Sequence, residues 1–514
     1  MRKVFNIDIS GRINRRDLPL DLEPGEVQDR RNIYVIGNGK SKLNRKHPGA
    51  NRWSDNDTGT KYVSGHRYYT GSNTRKTFAF NNGRIYHIDD NGNESQDTNV
   101  FSPIAIPSFS QMRVSSNDLL FMSEGISSGM YSHDGNIGNT WVKETAVTLN
   151  FVQLLPHLDR MFAFEDNSED LYFSKNLEPT NYTDSTDAGV ITIGPRNGSK
   201  IIGIALLNET LFIFKQDSIW YLSGRSPYEF EVREVHTQLG CVERRSIQNT
   251  ERGIIFLASD FEFYSFGGSQ ESTVMLTYKL AISGDRTKNL LPLINMTKTD
   301  SICSTYFDKI YRCSFVANGE TTNSLEYCFN TINETDFLTE GFNITCYIQW
   351  NRTPDLPTLF CGRESLGRLM KMYQGYNVDN GASTKAMRAR LVTRATGADE
   401  PRNIRFRAAY FNLQSDLANG ILKGFFYMDS RTSRSDAGSG EWTIRGEQKE
   451  NMSVTMASQR SISPRVILPY GKSKGQNIYF EIDTQGEDLD FGLRNIDVEA
   501  IVTKPMKKSE KVSV

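Results

Sequence analysis

The chain has 514 residues, a formal net charge of −1 and 38% apolar residues, its aromatics supplied mainly by phenylalanine and tyrosine. That length exceeds one ordinary core, and the apolar share supports packed sheets rather than disorder. The near-neutral balance excludes a global electrostatic pull toward nucleic acid or anionic membrane, and no apolar run is long enough to span a bilayer as a helix.

Residues 1–60 read as an extended arm expected to contribute to the first or last unit of the repeat that follows. Leu18-Pro19, Glu23-Pro24-Gly25, Gly37-Asn38-Gly39 and His47-Pro48-Gly49 punctuate it, so no helix passes through. A short strand is expected over Arg31–Ile36. The opening Met1-Arg2-Lys3-Val4-Phe5 lacks the apolar stretch of a signal peptide. The expectation is therefore a reducing compartment, with the six cysteines buried as thiols.

From 61 to 385 a hairpin recurs at intervals of about 40 to 50 residues. Its copies are 78–88, 119–131, 160–174, 211–222 and 253–266, with less regular ones at 304–315 and 344–361. Each is an aromatic or aliphatic strand, a polar turn and a second such strand. A sheet unit repeating at that period predicts an all-β fold, a six- or seven-bladed β-propeller in which each blade buries its faces against its neighbours.

From 386 to 503 the strands lengthen and alternate with charge, as in Arg405–Phe411 and Ile478–Asp483. That half-buried pattern predicts a C-terminal β-sandwich-like domain. The tail, 504–514, is polar and is expected to be flexible.

Chemistry has no visible seat. Ser132-His133-Asp134-Gly135 with Trp141, and Ser435-Asp436-Ala437-Gly438 with Trp442, come near the Asp-box turn of sialidase-like blades but misplace the Gly or the Trp. The acidic stretch Glu165–Asp170 reads as a loop tip rather than a glycosidase carboxylate pair. Asp89-Asp90-Asn91-Gly92 reads as a β-turn. The six histidines are scattered and the cysteines form no Cys-x-x-Cys pair, so neither a metal nor another cofactor is expected, and the chain is not expected to be an enzyme. Charge is uneven: between Lys385 and Lys474 sixteen Lys and Arg face eight Asp and Glu. Arg388, Arg390, Arg402, Arg405 and Arg407 form a candidate basic patch for assembly or DNA, with Arg405 and Arg407 on one strand face opposite Phe406 and Ala408. Arg12, Arg15, Arg16, Arg30 and Arg31 mark the arm as a candidate docking segment.

Several stretches in order carry a resemblance. They are Gly11, Pro24-Gly25-Glu26, Asn32-Ile33-Tyr34-Val35, Gly39 and Asn44–Gly49, then Ile201–Ile204, Leu211–Phe214, Ser218–Tyr221, Leu239-Gly240-Cys241, Arg245-Ser246 and Gly253–Leu257. The chain resembles the packaged-DNA stabilisation proteins of short-tailed bacteriophages, the head-completion plug or tail nozzle. The resemblance implies a virion protein made in the host cytoplasm and assembled as a homohexamer ring at the portal vertex. It would extend the portal channel, retain packaged double-stranded DNA without sequence specificity and gate its ejection. A portal or adaptor ring and tail fibre, spike or needle proteins would be its partners. The alternatives are a host-glycan-binding tail propeller and a propeller-type glycoside hydrolase.

Overall fold

Strand pairing organises the whole molecule. The computed structural model describes residues 2–502 apart from 16–20, 38–41, 49, 55–58, 70–74, 90, 127–128, 137, 196–197, 277–292, 351–356, 365, 374–376, 380–383, 387, 398–403, 415–420, 430–438, 446–460, 463–464, 470–473 and 485–491. Arg16, Arg402 and the tail 504–514 lie outside the described residues. Among the described residues helix is almost absent: Arg244–Ser246 and Thr299–Ser301 are single 3-10 turns.

The propeller has six blades that are uninterrupted four-stranded antiparallel meanders. Their innermost strands are Tyr62–Tyr69, Ser108–Val114, Phe151–His157, Ile201–Leu207, Gln248–Thr250 and Cys303–Phe307. A seventh unit closes the ring. Its sequential strands are Ile344–Trp350, Thr358–Arg363 and Leu366–Met372, and its fourth is Ala50–Arg52 from the arm, paired through Met370↔Arg52. Gly65 of blade 1 sits against Ile348 of this unit, so a Cβ there would overlap the isoleucine.

The central strands are apolar because both faces of a blade meet other blades. Gly253–Leu257 and Ile310–Val316 are buried at every position. Aromatic pairs bridge successive blades: Phe78 and Trp141 at 5.8 Å, Phe162 and Phe230 at 6.0 Å, Phe214 and Phe256 at 5.0 Å, and Phe263 stacked on Tyr327 at 4.6 Å. Two-residue turns with both central residues at positive φ join many strands. Asn82-Gly83 has the usual composition, whereas Leu158-Asp159, Asn208-Glu209 and Asp308-Lys309 reach the same conformation without glycine.

The chain ends form two further sheets that do not stand apart from the propeller. In an eight-stranded sheet, Gly492–Val502 pairs with Ile404–Gln414 on one side and with Arg2–Asp8 and Leu43–Lys46 on the other. The ten-stranded sheet contains blade 6 and continues from its last strand, Thr335–Glu340, through Val27–Arg31 and Arg390–Thr393 to Asn477–Asp483 and Ile421–Met428. The expected boundary at 386 is therefore crossed by strands from both termini. Ile9, Val27, Phe263, Phe315, Phe411 and Phe480 belong to one apolar core that runs through both regions.

Two local expectations change. The strand expected over Arg31–Ile36 breaks at Asn32, which has φ 52° and divides Val27–Arg31 from Ile33–Ile36. The alternation expected at Arg405–Ala408 is interrupted by a bulge: Phe406 faces Ala500, but Ala408 faces Glu499. Arg407 is the extra residue, so Ala408 moves to the face that alternation assigned to the arginines.

Candidate functional site

The arm's arginines are internal fasteners. Fully buried Arg30 donates to the carbonyls of Ile9 (2.8 Å), Gly11 (2.9 Å) and Asp336 (3.2 Å). Arg12 pairs with Asp336 at 3.1 Å, and the same carboxylate accepts the Ile13 N–H at 2.8 Å. Arg15 and Arg31 pair with Asp29 at 3.4 and 3.2 Å, and Arg31 also reaches Glu340 at 2.7 Å. Gly11 lies so close to Gly25 that a Cβ would stand 2.7 Å from its carbonyl, and the Gly11 N–H donates to that oxygen. Asn32 is the node. Its N–H donates to the Leu338 carbonyl, its Oδ1 accepts the Glu340 N–H, its Nδ2 donates to the Arg388 carbonyl at 2.7 Å, and its carbonyl accepts from His47. One residue thus ties the arm to blade 6 and to the C-terminal chain.

The candidate basic patch divides between the two sheets. Arg388 pairs with Asp483 (2.9 Å from Nε), and Arg390 with Glu481 and Asp29 (2.9 and 3.0 Å). In the other sheet Arg407 stands 3.9 Å from Glu499, which Arg2 also approaches at 2.5 Å. Arg405 lies beside the bulge with its Nε buried. Buried carboxylates face much of this charge.

A buried network fills the seam between blade 6, the closing seventh unit and the arm. Arg312, 0% exposed, donates to Glu326 (3.3 Å), to Tyr373 Oη (2.7 Å) and to His47 Nε2 (2.6 Å). Glu326 also accepts from Thr339 and Tyr347. Because His47 Nε2 accepts from a guanidinium, its proton sits on Nδ1, facing the Pro48 carbonyl. Burial first, and then Arg312, push the His47 pKa well below 6.5.

The innermost strands begin around one axis and leave a cavity of about 300 Å³ there. Arg245, on the turn before blade 5, crosses this axis: it donates to the Val63 carbonyl of blade 1 (3.2 Å) and to the Asp300 carbonyl (2.9 Å). Arg244, Ser108, Cys303, Cys346 and Tyr347 share the lining. Burial pushes the Cys346 thiol up to about 11 and Cys303 higher, so both stay protonated. His87, Asp97 and His133 also cluster within 4.8 Å. However, His133 Nδ1 accepts the Gly135 N–H at 2.8 Å and its Nε2 donates to the Asn139 carbonyl at 3.1 Å, so both ring nitrogens are in use. In the turn expected at Asp89–Gly92, the Asp89 carboxylate accepts the Asn91 and Asn93 N–H groups at 2.9 Å.

Sequence reasoning missed Arg312, Glu326, Asn32 and Arg244. The visible signal for Arg312 was a lone charge inside the apolar strand Ile310–Val316.

No family model and no curated protein matches the chain. Among solved structures it is similar to the computationally designed Ika8 protein, with TM-score 0.38 and 8% identity over 63% of this chain and 100% of that one. A streptogramin B lyase gives TM-score 0.39 and 10% identity over 66% and 97%. The exo-beta-1,3-galactanase from Phanerochaete chrysosporium gives TM-score 0.27 and 9% identity over 88% and 99%. These scores are too low to carry an argument about this chain, and the propeller follows from the strand pairing itself.

Proposed function

We propose that the protein is a structural component of the neck or tail of a short-tailed phage, working as a ring of copies that extends the portal channel, retains packaged DNA and gates its ejection. The ordered sequence pieces from Gly11 to Leu257 support the family. The observation that carries the mechanical reading is the fastening of both chain ends to the propeller through Arg30, Asn32 and Asp336. A subunit braced in this way resists shear between its parts, as a ring under packaging pressure requires. On this reading the two terminal sheets form a β-sandwich, with Phe411 of one edge-to-face on Phe480 of the other at 5.7 Å. DNA would pass between subunits, because Arg245 crosses the propeller's own axis. Ring interfaces of this kind are heterologous and need two different complementary patches on each copy. The protein would have no catalytic role.

Quantitative mass spectrometry of purified particles, scaled to the major capsid protein, tests the proposal. About six copies per particle is the expected result for one closed ring. Absence from particles overturns the reading.

A further inference from the structure

The axial cavity contains hydrogen-bond donors that nothing in the fold uses. Arg244 makes no hydrogen bond through its guanidinium among the described residues. Its ion-pair partner is Glu243, at 3.9 Å, and Asp166 on the blade 3 turn is a further carboxylate in electrostatic reach. Arg245 has two nitrogens on backbone carbonyls, while its Nε is buried without a hydrogen bond, 3.9 Å from the same Glu243 carboxylate. Ser108 accepts the Leu154 N–H at 3.2 Å, which leaves its own hydroxyl hydrogen to give. The acceptors nearby are already engaged: Gln153 Oε1 takes the Ile204 N–H at 3.0 Å, and Glu243 caps the turn by accepting from the Arg245 N–H at 3.2 Å. Two guanidinium groups held side by side, partly desolvated and with one shared carboxylate, favour an added negative charge. The volume, about 300 Å³, is at the lower end for a small-molecule pocket.

We propose that this cavity is an oxyanion site that takes a carboxylate or phosphate group of a small molecule, with Arg244 as the principal cation and Arg245 Nε and the Ser108 hydroxyl as further donors. The group sits where six of the seven innermost strands converge, so a bound anion touches most of the ring at once and stiffens it across the axis. Arg245 positions the site through its carbonyl contacts, and Arg244 supplies the charge those contacts leave free.

Calorimetric titration of the full chain at fixed ionic strength tests this, with inorganic phosphate in one arm and succinate in the other. The expected result is saturable one-to-one binding in at least one arm, and the arm that binds more tightly identifies the source of the group. Arg244→Gln, checked for an unchanged melting temperature, should weaken that binding at least about tenfold, the usual worth of a charge-assisted hydrogen bond. Ser108→Ala should weaken it about threefold and serves if the arginine variant does not fold. Arg233→Gln, on the exposed outer strand of blade 4, should leave it unchanged. No saturation in either arm up to about 10 mM, or an affinity in both Arg244→Gln and Ser108→Ala equal to that of the unsubstituted protein, overturns the proposal.

Discussion

The propeller and the terminal sheets are built from the same element but held by different physics. A blade pairs strands that are neighbours in sequence, and its stability comes from apolar faces pressed together, as between Phe212 and Phe266 at 5.1 Å. The terminal sheets pair strands from opposite ends of the chain: Asn6 Nδ2 donates to Asp497 across 491 residues. Their register is fixed by buried polar residues, Arg30 and Asn32 among them. Local pairing needs little beyond apolar pattern and turns, whereas pairing across the chain adds directional bonds that accept one partner only.

The strongest test acts at the seam between the two regions. Arg312→Ala leaves Glu326 buried without its guanidinium and should cost about 3–5 kcal/mol in denaturant unfolding. Replacing both as Arg312→Met with Glu326→Leu should recover much of that loss, because the cost lies in the orphaned charge. Equal losses for the single and double variants would show that the seam depends on the charges themselves. Asn32→Ala comes next, at about 2–3 kcal/mol, since it removes side-chain bonds to Glu340 and Arg388 and keeps a positive φ that alanine disfavours. Its loss should expose the terminal sheets to amide exchange before the blades; uniform exposure would mean the two regions unfold as one unit.

The smallest effect is a slope. Folded His47 titrates well below 6.5, so the unfolded chain takes up that proton first. Stability from this group is present above about pH 6.5 and is lost as the pH falls below it, by up to about 1.4 kcal/mol per pH unit. His47→Gln should flatten the pH dependence of unfolding between pH 6.5 and 5 by that amount. An unchanged slope would place the acid sensitivity elsewhere, for instance in His87 and His133, whose pKa values burial also lowers.

The repeat was legible because its cause is local. In blades 1 to 5 the expected hairpins coincide with the two central strands; the first of each pair, such as Arg160–Glu165, Thr210–Lys215 and Gly253–Leu257, is buried almost throughout and so loses polar alternation. The outermost strands escaped notice. Glu94–Gln96 and Val142–Glu144 are short, polar and defined by pairing alone. The terminal sheets were only half legible: alternation marked Arg405–Phe411, within the observed strand Ile404–Gln414, but nothing in its pattern named Gly492–Val502 as partner or announced the bulge at Arg407. The site residues failed for a related reason. A count of arginines suggested a basic surface, yet charge counting cannot see that Asp29, Asp336, Glu481 and Asp483, from three distant stretches, fold in beside them. Arg244 and Arg245 lay within a short polar turn whose place on the axis only the closed ring defines.

Closure by Ala50–Arg52 sets a timetable for synthesis. The neighbouring Ser54 hydroxyl waits for the N–H of Leu369, 315 residues later, which at ordinary ribosome speeds is about 15–60 s. Throughout that interval the first and last edges of the growing ring are open, and Arg2–Asp8 waits longer still for Gly492–Val502. A chain cut short anywhere before its final strand is left with unsatisfied edges at both ends. A copy that lacks Gly492–Val502 therefore leaves Arg2–Asp8, Leu43–Lys46 and Ile404–Gln414 without the strand that joins them.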